Sequence, residues 1–85
     1  METSKVIIVE KARNIVLEYW NNNHVCKVDV LDIHYTGERE TTNYIELNFY
    51  TAKSLSNNLF KVIYSKISRK FILREYELVN EYNVD

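Results

Sequence analysis

The sequence predicts a small α+β domain with the element order α-β-β-α-β, in which two helices cover one face of a hairpin-based antiparallel sheet. Three observations predict it: a helical repeat of apolar residues over 4–22, one glycine between the extended segments 25–36 and 40–51, and a second helical face over 54–69. Because 85 residues hold only one small core, the whole chain, 1–85, is expected to form a single domain.

The predicted first helix carries its apolar residues at three- and four-residue steps, which places them on one side. These residues are Ile8, Val9, Ala12, Ile15, Val16, Tyr19 and Trp20. Thr3 or Ser4 can act as the N-cap by accepting a hydrogen bond from the first turn. The run Asn21–Asn23 favours an end there, because Asn tolerates the left-handed conformation that ends helices.

The predicted hairpin depends on Gly37, the only glycine in the chain. A two-residue type II′ turn at Gly37–Glu38 would join the two extended segments and fix which residues face each other. On one face it pairs Cys26 with Phe49, Val28 with Leu47, and Val30 with Ile45. This apolar face is predicted to be the core side of the sheet.

The second face of that hairpin is more polar. The same register pairs Val25 with Tyr50, Lys27 with Asn48, Asp29 with Glu46, and Leu31 with Tyr44. The face is either a solvated surface with a Lys27–Glu46 cross-strand pair, or it meets a basic partner protein, with tyrosines supplying contact area. The candidate protein-interface residues are Asp29, Leu31, Tyr35, Tyr44, Glu46 and Tyr50.

The predicted second helix, 54–69, begins at Ser54 as a cap and has a broad apolar side. Residues 71–79 alternate in part and are predicted as a third strand. They could also extend the helix, since no glycine or proline follows Gly37. That alternative gives the order α-β-β-α with one long C-terminal helix.

Charge is unevenly distributed along the chain. Residues 53–74 carry six of the eleven basic residues and none of the twelve acidic ones. On a helix these cations either cover a solvated exterior, meet an acidic protein or contact phosphates. The candidates for phosphate or acidic-partner contact are Lys61, Lys66, Arg69, Lys70 and Arg74.

No arrangement of residues predicts catalysis, a metal site or a cofactor. The softest metal ligands, His24, Cys26 and His34, lie on one predicted strand, whereas structural zinc sites draw ligand pairs from separate segments. His24 and Cys26 would lie about 6–7 Å apart along that strand, too far for an activating hydrogen bond. One glycine cannot build a phosphate-cradling loop. The protein is therefore predicted not to be an enzyme.

Composition places the chain among soluble proteins of a reducing compartment. It has one cysteine, no basic-then-apolar start, and no apolar run longer than Val6–Val9, so a cytoplasmic location without a membrane partner is expected. Enrichment in Asn, Ile and Lys is typical of a low-GC bacterium, phage or plasmid. The predicted function is a non-catalytic protein-binding module of the regulator or inhibitor type. The alternative is a nucleic-acid-associated protein, and a homodimer is compatible with either.

Overall fold

The fold is one helix packed on a four-stranded antiparallel sheet. The structure, a computed structural model, describes residues 4–51 and 58–77. Its elements are α1 (Lys5–Asn23), a 3₁₀ turn (Val30–Asp32), β1 (His34–Glu40), β2 (Tyr44–Thr51), β3 (Asn58–Ser65) and β4 (Phe71–Glu77). Each strand pairs with its neighbours in sequence, in the order β1-β2-β3-β4.

Helix α1 follows the predicted apolar repeat. The Ser4 hydroxyl caps it by accepting a hydrogen bond from the Val6 backbone N–H at 3.2 Å. The side chains that become buried lie four residues apart, namely Ile8, Ala12, Val16 and Trp20. This spacing forms one stripe along the helix, so α1 can pack only on that side.

The core lies between α1 and one face of the sheet. Alternate residues of the two central strands point toward the helix, as expected for a strand. They are Ile45, Leu47 and Phe49 on β2, and Phe60, Val62 and Tyr64 on β3, all buried. The α+β class predicted from the sequence is therefore present, with a single helix in the described residues.

The predicted turn at Gly37–Glu38 is wrong. Gly37 lies inside β1, directly after an irregularity in the register, with φ of 156°. The chain turns instead at 41–43, where the Thr41 hydroxyl accepts the Tyr44 N–H at 3.1 Å and the Thr41 N–H donates to the Tyr44 carbonyl at 2.8 Å. Gly37 therefore belongs to a β-bulge and not to a turn. The prediction failed because both positions favour the backbone freedom of glycine.

The predicted strand 25–36 is also wrong over most of its length, since β1 begins only at His34. Cys26 and Val30 are exposed and Phe49 faces Tyr35, so the predicted core pairing does not form. Val28 is buried, but outside the sheet. The Asn21 side chain accepts a hydrogen bond from the Val28 N–H at 2.9 Å and donates one to the Val28 carbonyl at 3.1 Å, as a neighbouring strand would.

The second predicted helix, 54–69, is a strand where the structure describes it, β3, followed by a turn; residues 54–57 lie outside the described residues. Apolar residues of β3 occupy both parities, which imitates a broad helical face. Arg69 supplies the left-handed conformation of the turn, with φ of 60°, where the sequence has no glycine. The order over the described residues is therefore α-β-β-β-β, and strands β3 and β4 stand where the alternative placed one long C-terminal helix. The strand predicted at 71–79 is found as β4; residues 78–79 lie outside the described residues.

Candidate functional site: the open face of the sheet

The face of the sheet opposite α1 is covered by no described residue, and we call it the open face. Its side chains come from all four strands, because each contributes alternate residues. Those described are His34, Thr36, Arg39, Tyr44, Glu46, Asn48, Tyr50, Leu59, Lys61, Ile63, Ser65, Ile72 and Arg74.

Three cations and one acid lie on this face. Lys61 stands directly opposite Arg74 across β3 and β4, and Arg39 stands opposite Glu46 across β1 and β2. Lys61 Nζ lies 3.5 Å from Glu46 Oε1. Like charges directly opposite one another in a sheet destabilise the pair by about 0.2–1 kcal/mol. The Glu46 carboxylate offsets part of that cost, and the face keeps an excess of positive charge.

Large apolar and aromatic side chains stand among these charges. Exposure is 54% for Ile72, 48% for Tyr44 and 38% for Leu59. Ile63 lies opposite Ile72, so the two form a short apolar strip across β3 and β4. A shallow hollow of about 360 Å³ opens over β1, β2 and β3 and includes Thr36, Asn48, Leu59 and Lys61 in its lining.

The predicted protein-interface residues divide between three places. Tyr44, Glu46 and Tyr50 lie together on the open face, where the Tyr50 ring is 6.0 Å from that of His34. Tyr35 points toward the helix side, and its hydroxyl donates to the Glu38 carboxylate. Burial first, and this hydrogen bond second, raise the pKa of Tyr35 to about 12.

The remaining two interface candidates, Asp29 and Leu31, lie in the connection between α1 and β1. Leu31 is 84% exposed in the 3₁₀ turn. The Asp29 N–H donates to the Asp32 carboxylate at 2.9 Å. The predicted pairing of Asp29 with Glu46 does not exist, because β2 pairs with a later segment of the chain than expected.

The predicted basic residues do not share a helix. Lys61 and Arg74 lie on the open face, while Arg69 and Lys70 are exposed near the turn between β3 and β4. Lys66 Nζ pairs with the Glu40 carboxylate at 2.6 Å. The open face therefore carries members of both predicted sets: Tyr44, Glu46 and Tyr50 from the protein-interface candidates, and Lys61 and Arg74 from the basic candidates.

Sequence reasoning missed eight members of the open face, Arg39, Leu59 and Ile72 among them. The available signal for a strand was the enrichment of this segment in aromatic and β-branched residues, Phe60, Val62, Ile63 and Tyr64.

A second charged cluster joins the start of α1 to the sheet on its helix side. Lys5 Nζ lies 2.6 Å from Glu38 and 2.9 Å from Glu40, and Lys66 also binds Glu40. Hydrogen bonds from Lys66 and Lys5 lower the pKa of Glu40 to about 2. These four side chains pair with one another, so the cluster acts as a clamp between α1, β1 and the turn after β3.

The described residues form neither a metal-binding cluster nor a membrane-spanning helix. Within residues 4–51 and 58–77, no three His, Cys, Asp or Glu side chains are grouped so as to hold a metal ion. His24 stacks on Trp20 with ring centroids 3.7 Å apart. Among the described helices, none is both long and apolar enough to cross a membrane.

Comparisons of the chain with family models, with curated proteins and with solved structures gave no match.

Proposed function

We propose that this protein is a non-catalytic protein-binding module, a small regulator or inhibitor, that contacts its partner with the open face. The observation that carries the proposal is the exposure of Tyr44, Leu59 and Ile72 on an uncovered sheet face. Ile72 adjoins Ile63 across β3 and β4, and an exposed apolar patch rimmed by polar residues is typical of protein interaction sites. Tyrosine and arginine, both present here, are enriched among residues that dominate binding energy.

The charge of the open face indicates the chemistry of the partner. Arg39, Lys61 and Arg74 outnumber Glu46, so an acidic surface is complementary to it. The partner needs apolar residues as well, to cover the Ile63–Ile72 strip. Such a surface is an acidic patch on a folded protein with apolar side chains between its carboxylates.

The test compares capture of proteins from cells of the source organism by tagged variants. Arg39→Ala combined with Tyr44→Ala removes a cation and a ring from the open face at the end away from β4. The matched control, Lys11→Ala, removes an exposed cation from the outer side of α1. We expect a partner that wild type and the control retain, and that the double variant loses at least tenfold. Equal capture by all three forms, or no partner for wild type, would contradict the proposal.

Nucleic-acid association is the second candidate, and one observation favours it. Lys61 and Arg74 face each other on the open face, and Arg69 and Lys70 stand near the adjoining turn. Phosphate contacts release counterions, so such binding weakens steeply with salt. Fluorescence anisotropy with labelled single-stranded and duplex oligonucleotides, at about 50 and 200 mM salt, measures it. This function would be supported if the affinity falls about tenfold or more between these salts. The double variant Arg69→Glu with Arg74→Glu should then show no binding.

A further inference from the structure

The two edges of the sheet differ in how they are protected. An edge strand exposes unpaired N–H and C=O groups that can pair with another chain, and proteins block such edges with bulges and inward-pointing charges. β1 has both devices. A bulge interrupts it between Tyr35 and Gly37, and Glu38 and Glu40 point toward the helix side, where Lys5 binds them.

β4, the opposite edge, has no bulge. Its register with β3 is unbroken from Phe71 to Glu77, and it contains no glycine or proline. No described strand lies on its outer side. With respect to the described residues it is thus an unbroken seven-residue edge that is open to strand addition.

The hydrogen-bonding direction of each β4 residue follows from the turn that precedes it. The Ser65 N–H donates to the Lys70 carbonyl at 2.9 Å, so Lys70 bonds toward β3. Backbone direction alternates along a strand, so Ile72 and Arg74 also bond toward β3. The N–H and C=O groups of Phe71, Leu73 and Glu75 therefore point outward.

We propose that two copies of this chain associate through β4, antiparallel, about a two-fold axis at Leu73. Leu73 then faces Leu73 of the second copy, and Phe71 faces position 75. Their outward groups exchange about six backbone hydrogen bonds. A two-fold interface needs a self-complementary surface, and this edge supplies one.

Charge disfavours three other registers, and an axis two residues earlier, at Phe71, would leave most of β4 unpaired. An axis one residue later places Arg74 opposite its own copy, and one residue earlier places Arg74 opposite Lys70. Two residues later, position 75, a glutamate, faces itself. Like charges directly opposite one another are unfavourable in each case. With the axis at Leu73, Arg74 instead faces Ile72, and no like charges oppose each other.

The paired molecule has a definite shape. Residues that face each other lie on the same side of the sheet, so the two four-stranded sheets become one and both open faces point the same way. The apolar strip of Ile63 and Ile72 in one copy then adjoins that of the other. Arg39 and Tyr44 lie away from the contact and stay accessible to a partner.

The first test measures mass in solution by light scattering and sedimentation, from micromolar to submillimolar concentration. Glu75→Pro removes an outward N–H at an edge position, where proline is tolerated. The control Glu75→Ala keeps that N–H. We expect wild type and Glu75→Ala to be dimers and Glu75→Pro to dissociate at least tenfold more readily. A monomeric wild type would overturn the proposal, as would an equally stable Glu75→Pro dimer.

The second test fixes the register and does not depend on proline. Ile72 and the Arg74 of the second copy form a non-hydrogen-bonded pair, with Cα atoms about 4.5 Å apart, within disulfide range. Ile72→Cys and Arg74→Cys proteins are mixed, each with the exposed Cys26 replaced by Ser. We expect the mixture to cross-link far faster than either protein alone, because identical positions lie about 7 Å apart. Equal rates would reject this register. Both tests proceed without the partner proposed above, so the two proposals fail separately.

Discussion

Trp20 is the residue on which the core depends most. Its side chain is fully buried, stacks on His24, and meets the Phe60 ring edge-on at 6.1 Å. Its indole Nε1 donates to the Cys26 carbonyl at 2.6 Å. One side chain therefore joins α1, the connection that follows it, and the centre of the sheet.

Replacing Trp20 by Ala should lower the free energy of unfolding by about 3–5 kcal/mol, because it leaves a large cavity. Trp20→Phe keeps much of the ring but leaves the Cys26 carbonyl without its donor, at a cost of about 1–3 kcal/mol. The 84% exposed Leu31 gives a control, and Leu31→Ala should change stability by about 0.5 kcal/mol or less. Urea unfolding of all three variants is followed by circular dichroism. Tryptophan fluorescence would not serve, because Trp20 is the only tryptophan and two of the variants lack it. If Trp20→Ala were as stable as the control, the helix would not pack as described.

At the scale of elements, the sequence predicts the parts that local pattern determines. α1 is found within one residue of each predicted end, because one amphipathic stripe fits one helix. β3 was predicted as helix because Leu59 and Ile63 are apolar on the open face, while Phe60 and Val62 are apolar on the core face. A strand with apolar residues on both faces loses the alternation that identifies it.

In the candidate site too, the sequence predicts which residues of one strand share a face, but it does not predict which residues meet across strands. Tyr44, Glu46 and Tyr50 were predicted to share a surface, since they share the parity of one strand, and they do. Lys61 and Arg74 were assigned to a helix surface and in fact meet across two strands. Register between strands depends on tertiary pairing, which the local pattern of residues does not specify.

Two of the described residues adopt backbone conformations that L-residues rarely adopt: Gly37 beside the bulge and Arg69 in the turn between β3 and β4. No atom lies within 4 Å of the place where a Cβ on Gly37 would stand, so only backbone strain opposes a side chain there. Gly37→Ala should therefore destabilise by about 1–2 kcal/mol. Arg69→Gly should stabilise by roughly 0.5 kcal/mol, the strain relieved less the added entropy of the unfolded chain. Chemical denaturation of both variants checks the pair, and the same sign for both would contradict the assigned conformations.

At the scale of the molecule, the clamp of Lys5, Glu38, Glu40 and Lys66 joins three elements that are distant in sequence. It connects the first turn of α1 to β1 and to the turn after β3. Surface ion pairs contribute little one at a time, but a network that shares carboxylates holds several elements in one arrangement.

The clamp predicts how stability depends on pH. The pKa of Glu40 is about 2 in the folded protein, below its value in the unfolded chain. The stability that Glu40 contributes is therefore complete above about pH 5 and is lost as the pH falls toward 2. Melting temperatures measured between those values should fall less steeply for Glu40→Gln than for wild type. Glu10→Gln, an exposed change on α1, should retain the wild-type slope. Parallel curves for wild type and Glu40→Gln would show that the clamp is absent in solution.

The order of elements along the chain has a consequence for synthesis. α1 leaves the ribosome first, but the side chains that cover Val16 and Trp20 belong to β2 and β3, which end at Thr51 and Ser65. At translation rates of about 5–20 residues per second, the helix waits roughly 2–8 s for the last of them. During that time its apolar stripe is exposed on the nascent chain. A chaperone can therefore bind this stripe before the strands that cover it have been made.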